Sequence, residues 1–305
     1  MLYEEQEAKS IADVIDIIIN LQSRHKNTLY YFRGEGDDYG ETALCPLVYR
    51  DEYLKKEHII YREMQRFNDA DFSADKSTFD RLSRLQHYGA PTRVLDISED
   101  IMSAIYFAVE NHDKNDAKTP IVYVLEIDKD KIKYYDSDSV SVVSNLTCIP
   151  LKTSNDLEKS KENLHEDALK FYNDKENFNK TESLKFLLHE IKSEKHYFEP
   201  IIVPEHIFSV FCVKPKYTSR RVRHQKGAFL LFGLNKCNLE EPISLMHDPE
   251  ELTPIKKIIK IRLGKEVTIA NLGKIGITTP YIYPEIEKVS EYLKKTLKNP
   301  KTAQH

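Results

Sequence analysis

The sequence predicts an α+β protein, built as a single domain with a mixed, mainly antiparallel sheet flanked by helices. Three observations lead to this fold class. The 305 residues, 40% of them hydrophobic, are enough to bury a large core. Apolar residues at helical spacing alternate along the chain with short runs of aromatic and β-branched residues. Such alternation within one uninterrupted composition favours helices packed on a sheet.

The N-terminal part, residues 1–28, is predicted to be a helix packed on the domain. Ser10 is a suitable N-cap, and apolar residues follow at helical spacing over residues 11–21. An aromatic run at 29–32 predicts a strand that stops at Gly34. Further helices are expected over residues 51–72 and 78–86.

The central part predicts strand, helix and strand. Gly89 and Pro91 end the preceding helix, and residues 92–97 have the composition of a strand. Ser98 or Asp100 is expected to cap a helix over 101–110. A strand follows at 121–127, and a weaker one is predicted at 139–143.

The remaining chain contains a change in composition. Lys, Glu and Asn dominate residues 152–198, which we interpret as a charged helical insertion packed on the edge of the sheet. Strands are expected at 208–213, 227–232 and 256–261, and a helix at 284–297. The domain therefore extends over 29–298, with 299–305 as a tail.

Composition excludes several classes of protein. The net charge is −4, and no long stretch is uniformly basic, so charge alone predicts neither a nucleic-acid nor a membrane surface. No apolar run approaches the roughly 20 residues of a membrane span. The four cysteines are far apart and show no CxxC pairing, which argues against a metal site and for reduced thiols in the cytoplasm.

Arg33 and Gly34 form the first candidate site. An arginine at a strand end can project its guanidinium from a rigid base, while a glycine lets an anionic ligand approach the backbone. The alternative is an arginine that holds a carboxylate across the core.

The second candidate site extends from His87 to Ser98. Strand alternation places Asp96 and Ser98 on one side, and Ser98 also lies close to the start of a helix, where backbone N–H groups suit an anion. His87 is a candidate hydrogen-bond donor to a phosphate, or a candidate general acid or base. The alternatives are an ordinary helix cap for Ser98 and an exposed or structural histidine for His87.

The third candidate site is the most basic stretch of the chain, just before the strand at 227–232. It contains Arg220, Arg221, Arg223, His224, Gln225 and Lys226. This stretch is a candidate phosphate contact, and its alternative is a solvated loop. A Gly-x-Ser-x-Gly elbow, a P-loop and a Gly-x-Gly-x-x-Gly motif are all absent from the sequence.

These motifs, in this order, resemble the FRG domain family, which is named for a (Phe/Tyr)-Arg-Gly motif. The similarity extends over roughly residues 10 to 295. The matching segments are Tyr31-Phe32-Arg33-Gly34-Glu35, 44–50 with Leu-Cys-Pro-Leu-Val-Tyr-Arg, 86–96 with Gln-His-Tyr-Gly-Ala-Pro-Thr-Arg-Val-Leu-Asp, 104–108 with Ala-Ile-Tyr-Phe-Ala, 220–229, and 276–286. Ile97-Ser98 replaces a Trp-Thr that is common in the family, which keeps a hydroxyl at position 98.

The resemblance implies a function through a further similarity. Three strands are similar in arrangement to those that carry the functional residues of ADP-ribosyltransferases. The first ends in aromatic-Arg-Gly, the second ends in a hydroxyl residue, and the third begins after a polar residue. By this resemblance Arg33 would hold the pyrophosphate or nicotinamide ribose of NAD, Ser98 would orient the nicotinamide, and Gln225 would take the third position. A carboxylate is usual at that position, because glutamine cannot take a proton; Glu35, Asp96 or Glu99 is the candidate substitute.

Two hypotheses and a third alternative follow. The first is an NAD-using ADP-ribosyltransferase-like enzyme, a bacterial or phage toxin or defence effector, with a protein or nucleic acid as acceptor. The second is a non-catalytic module whose cleft binds a nucleotide, nucleic acid or protein. The third is a phosphate-handling enzyme that uses His87, Arg33 and Arg93.

NAD is the expected co-substrate. Its expected contacts are Arg33, Gly34, Arg93 and Asp96, and the catalytic candidates are Arg33, Ser98, Gln225 and His87. A carboxylate facing Arg33 and Ser98 would favour the enzyme, and Arg33 buried in an ion pair with Asp96 would favour the module.

Overall fold

A computed structural model of the protein describes residues 3–22, 27–112, 117–152, 160–217, 225–245 and 253–298. Its centre is one eight-stranded sheet, which confirms the predicted α+β class. The strands are β1 (Tyr3–Ala8), β2 (Thr28–Glu35), β3 (Val94–Ser98), β4 (Ile121–Asp128), β5 (Lys133–Tyr134), β6 (Val210–Lys214), β7 (Gly227–Phe232) and β8 (Ile255–Leu263).

The strands lie in the order β1-β8-β4-β2-β3-β7-β6-β5. Only the outermost pairs on each side, β1 with β8 and β5 with β6, are parallel. The predicted mixed, mainly antiparallel sheet is thus confirmed. β1 was not expected: its sequence is largely polar because it is an edge strand, and its glutamates form ion pairs with Lys257 and Arg262 of β8.

The described residues form thirteen α-helices. They are α1 (Ile11–Gln22), α2 (Tyr53–Phe67), α3 (Asp69–Phe72), α4 (Thr78–His87), α5 (Ile101–Val109), α6 (Asp138–Asn145), α7 (Lys161–Lys170), α8 (Lys175–Phe178), α9 (Glu182–Glu194), α10 (Pro204–Ile207), α11 (Ile269–Lys274), α12 (Thr279–Ile282) and α13 (Ile286–Lys298). Short 3-10 turns also occur at Gly40–Thr42, Leu47–Tyr49, Lys129–Lys131 and Leu146–Cys148.

The strand predicted at 139–143 is wrong, because this segment is helix α6. Its Ser and Val residues resemble strand composition, yet Ser139–Asn145 are all buried. Burial on all sides removes the polar face by which a surface helix is recognised. Two of its buried polar side chains bond to carbonyls one turn earlier: Asn145 Nδ2 donates to the Ser141 carbonyl at 2.9 Å, and Ser144 Oγ donates to the Val140 carbonyl.

Two helical groups cover the same face of the sheet. One group, with α1 and α5, packs on β2, β4 and β8. The other group, with α4, α6, α7 and α9, packs on β3, β7 and β6. Loop residues such as Leu44 and Ile243 cover the opposite face. The insertion helices α7 and α9 belong to this second group, where α7 contacts α10 and α9 contacts α6.

A gap in the sheet separates the two halves. β2 and β4 are paired at the eight positions from Thr28 to Glu35, whereas β2 and β3 are paired only at Phe32–Ser98. The gap opens between the two helical groups, so it leaves a cleft on the helical face. We call this the interstrand cleft.

Candidate functional site

A cavity of about 320 Å³ lies in the interstrand cleft. It is lined by Phe32, Arg33, Gly34, Gln86, His87, Gly89, Asp96, Ile97, Ser98, Phe107, Glu110, Gln225, Gly227, Ala228, Phe229 and Tyr283. Six of the seven predicted site residues are in this set: Arg33, Gly34, His87, Asp96, Ser98 and Gln225. The structure thus brings together residues that lie far apart in sequence.

Arg33 occupies the gap between β2 and β3. Its Nη1 donates to the carbonyl and to Oδ1 of Asp96, at 2.9 Å each, and its Nε donates to Glu35 Oε1 at 3.0 Å. Burial opposes the charge of Arg33, but Asp96 and Glu35 raise the pKa of the guanidinium above its ordinary value. Its side chain is 19% exposed, and its Nη2 has no hydrogen-bond partner among the described residues.

Asp96 is the carboxylate that faces the cavity beside Arg33. Its side chain is 47% exposed, and Oδ1 also accepts from Gln86 Nε2 at 3.2 Å. Burial by itself would raise the pKa of Asp96, but the charge and hydrogen bonds of Arg33 lower it below its usual value. The cavity therefore contains the ionised carboxylate of Asp96 next to the guanidinium of Arg33, whose Nη2 has no hydrogen-bond partner among the described residues.

Ser98 and Gln225 are joined across the end of the cavity. Ser98 Oγ donates to the Gln225 carbonyl at 2.5 Å and accepts from the Asp100 backbone N–H at 2.8 Å. Gln225 Nε2 donates to the Ile282 carbonyl at 3.0 Å. Asp100, not Ser98, caps α5, because its side chain accepts from the N–H groups of Met102 and Ser103. The Ser98 hydroxyl thus fixes the turn that carries Gln225.

Gly34 lines the cavity for a reason different from the one expected. A side chain at this position would meet the carbonyl oxygen of Ala104 at 1.9 Å and the nitrogen of Ala108 at 2.7 Å. Glycine is therefore required so that α5 can pack directly on β2, and the space beside it is filled by that helix, not left open for an anion.

His87 is the last residue of α4 and faces the C-terminal part of the chain. Its Nε2 lies 3.4 Å from Glu285 Oε1, a contact that becomes an ion pair when the imidazole is protonated. The ring of Tyr88 packs edge-on against it, with the ring centres 5.2 Å apart.

Arg93 does not reach the cavity. It is fully buried and donates to both carboxylate oxygens of Glu57, with Nε to Oε1 at 2.8 Å and Nη2 to Oε2 at 2.5 Å. Lys161 Nζ donates to the same Glu57 at 2.5 Å. The expectation that Arg93 contacts a cofactor is therefore corrected: its charge is used to tie the strand to α2 and α7. The phosphate-handling alternative loses one of its three residues.

The other candidate carboxylates lie elsewhere. Glu35 is buried beside Arg33 on the opposite face of the sheet, and Glu99 accepts from Tyr31 and Lys214 on that same face. The basic residues Arg220, Arg221, Arg223 and His224 lie outside the described residues.

Ten of the sixteen lining residues were not site candidates from the sequence, and among them are Phe107, Glu110 and Tyr283. Glu110 Oε2 accepts from the Tyr283 hydroxyl at 2.7 Å. Phe107 and Glu110 are three positions apart, a spacing that places both on one side of a helix, and this was the available signal. Their meeting with Tyr283 depends on how the C-terminal segment packs, which no local pattern indicates.

A family model matches part of the chain. The FRG domain model matches residues 28–117, a range that begins at β2 and includes α5. Residues 28–117 are thus similar to the FRG domain, and five of the cavity residues predicted from sequence lie within this range; Gln225 lies outside. No curated protein and no solved structure matches the chain.

Within the described residues, no group of His, Cys, Asp or Glu is arranged to hold a metal ion. No helix among them is long and apolar enough to cross a membrane. The four cysteines are free thiols.

Proposed function

We propose that this protein is an ADP-ribosyltransferase-like enzyme that binds NAD in the interstrand cleft and cleaves the bond between nicotinamide and ribose. One observation carries the proposal. The three positions of the ADP-ribosyltransferase arrangement, Arg33, Ser98 and Gln225, belong to β2, to the end of β3 and to the turn before β7, which are neighbours in the sheet. All three line a single cavity.

The chemistry of the bond assigns a role to Asp96. When the bond from ribose C1′ to the nicotinamide nitrogen breaks, its electron pair leaves with nicotinamide and C1′ becomes positively charged. A fixed carboxylate stabilises this charge as it develops. Gln225 lacks a carboxylate, whereas Asp96 is ionised and half-exposed in the same cavity. We therefore assign to Asp96 the stabilisation of the positive charge at C1′, because the side chain of Gln225 carries no charge.

Arg33 supplies the matching site for an anion. Its Nη2 is available to a pyrophosphate oxygen or a ribose hydroxyl, while Asp96 and Glu35 hold the rest of the guanidinium in place. His87 stands at the same cavity as a second donor when protonated. Ser98 acts through the Gln225 turn, whose carbonyl it binds, and is a positioning residue.

Release of free nicotinamide tests the proposal. Wild-type protein mixed with NAD is expected to release nicotinamide, and Asp96→Asn is expected to reduce the rate by about a hundredfold or more, the scale on which one electrostatic contact to a transition state acts. Asp16→Asn is the matched control, because Asp16 is exposed on α1 and does not line the cavity. Equal rates in wild type and Asp96→Asn would remove Asp96 from the mechanism.

A growth test addresses the proposed role as a toxin or defence effector. Expression of the wild-type chain in bacteria is expected to arrest growth, because NAD is consumed or a cellular target is modified. Asp96→Asn, produced at the same level, is expected to be harmless. Arrest by both proteins would show that toxicity does not depend on this cavity.

The contacts within the cavity favour a second candidate, a non-catalytic module that keeps the cleft. Arg33 is bound to Asp96, and the hydroxyl of Ser98 is bound to protein backbone. These are the contacts expected if both residues serve the fold. Saturable NAD binding without nicotinamide release, in the presence of cell extract as a source of acceptor, would support the module over the enzyme.

A further inference from the structure

A second cavity of about 540 Å³ adjoins the first. The two share His87, Gly89, Glu110 and Tyr283 as lining residues. The second cavity extends from these residues along α13, where Tyr292 and Lys295 line it. We call it the outer groove. Glu110 therefore stands at the junction of two sites, one of which holds NAD under the proposed function.

We propose that the outer groove is the acceptor site, that it takes a cationic side chain of a protein, and that Glu110 accepts the proton of its attacking nitrogen. This inference rests on the proposed function, since an acceptor is needed only if NAD is cleaved for transfer. It adds the class of acceptor and a residue that the ADP-ribosyltransferase resemblance did not supply.

The aromatic residues around Glu110 fit a cation. Tyr283 holds the Glu110 carboxylate through its hydroxyl at 2.7 Å. The ring of Tyr283 packs edge-on with that of Tyr106, their centres 6.2 Å apart, and Tyr292 lines the same groove. A carboxylate flanked by aromatic rings attracts guanidinium and ammonium groups through both charge and ring faces.

The charges of the groove do not suit a nucleic acid. Its two described lysines, Lys288 and Lys295, are matched by the two carboxylates of Glu110 and Glu291. Lys288 is itself paired with Glu291 at 3.5 Å. A surface for polyphosphate needs an excess of positive charge, which the described lining residues lack.

The transfer step balances with these groups alone. The C1′–nicotinamide bond breaks, and its electron pair leaves with neutral nicotinamide. A nitrogen of the acceptor's guanidinium forms the new bond to C1′, and the proton that this nitrogen loses passes to Glu110. The product guanidinium keeps its positive charge, so one proton is released for each NAD consumed.

Agmatine, a small guanidine, is the probe for the groove. Titration followed by NMR is expected to show saturable binding to the wild-type chain and about tenfold or greater weakening in Glu110→Gln, because one charged partner is lost. Glu287→Gln is the matched control, since Glu287 is exposed on α13 and does not line the groove. Tyr283→Phe keeps the ring but removes the hydrogen bond to the Glu110 carboxylate, and a smaller loss of about two- to fivefold is expected.

Nicotinamide release gives the second readout. Agmatine is expected to accelerate nicotinamide release by wild type and by Glu287→Gln but not by Glu110→Gln, and Glu287→Gln is expected to keep the wild-type affinity for NAD. Absence of agmatine binding, equal binding by Glu110→Gln, or displacement of agmatine by a single-stranded oligonucleotide would overturn the inference. If agmatine binds through Glu110 but NAD is neither bound nor cleaved, the proposed function fails and with it the acceptor role, while the cation site remains.

Discussion

At the scale of single residues, the FRG motif combines a packing requirement with a site requirement. Gly34 allows α5 to lie directly on β2, and Arg33 spans the gap between β2 and β3. Glu35 completes the unit, because its Oε1 accepts from Arg33 and from the Leu44 backbone. Three consecutive residues thus contact helix α5, the gap between β2 and β3, and the loop at Leu44.

Gly34→Ala tests the packing requirement. The added methyl group overlaps the backbone of α5, so we expect a loss of about 3 kcal/mol or more in the free energy of unfolding, at the upper end of the cost of overpacking. Gly36→Ala is the control, since its new methyl would meet only the Ala108 oxygen at 3.8 Å, an ordinary contact. Urea denaturation measures both, and equal midpoints would contradict this account of Gly34.

At the scale of elements, buried charges join the insertion to the residues that the FRG domain model matches. Glu57 of α2 accepts from Arg93, just before β3, and from Lys161 at the start of α7. All three side chains are almost fully buried. The ion triad therefore links α7 to α2, a helix within the residues that the FRG domain model matches.

Glu57→Gln is expected to destabilise the protein by about 3–5 kcal/mol, because it leaves two cations buried with no compensating charge. Glu63→Gln, on an exposed face of the same helix, is expected to leave the denaturation midpoint unchanged. A loss for Glu57→Gln no larger than that for Glu63→Gln would show that the triad does not hold the elements together.

Lys161 predicts a dependence of stability on pH. Burial lowers its pKa from 10.5 to about 8, although Glu57 opposes the shift. Between pH 8 and 10.5 the unfolded chain therefore binds more protons at this group than the folded chain does, and stability rises with pH. Relative to Lys161→Met, the wild type is expected to gain up to about 1.4 kcal/mol per pH unit in this range. Parallel stability curves for the two proteins would contradict the lowered pKa.

Alternation and aromatic runs predicted β2, β4 and β7 because these strands have a buried apolar face. β1 and α6 escaped prediction for opposite reasons: one is a polar edge strand and the other a helix buried on all sides. The cavity residues of the FRG motifs could be named from sequence, but Arg93 could not be separated from them, because its partner Glu57 is distant in sequence.

At the scale of the whole molecule, a single sheet carries the two helical groups on one face, with the interstrand cleft between them. Its outer edge on one side is β1, which covers the nine-residue strand β8. Edge strands that are charged and short protect a sheet from pairing with other molecules. β1 fits this description, with glutamates at positions 4, 5 and 7.

Removal of residues 1–8 is expected to expose the edge of β8 and cause self-association. Light scattering coupled to gel filtration would detect species larger than those formed by the full chain at the same concentration. Glu5→Gln, which removes one ion-pair partner but keeps the strand, is expected to behave as the full chain does. An unchanged size distribution after truncation would show that β1 does not protect the edge.

Under the proposed function, the interstrand cleft binds NAD through Arg33. Titration calorimetry of NAD into the wild-type protein and into Arg33→Ala tests it most directly, with the melting curve of the variant as the check on folding. We expect one saturable site in the wild type and affinity weaker by about tenfold or more in the variant, since a charged contact is lost. Absence of NAD binding by the wild type, or equal affinity in a folded Arg33→Ala, would contradict the account.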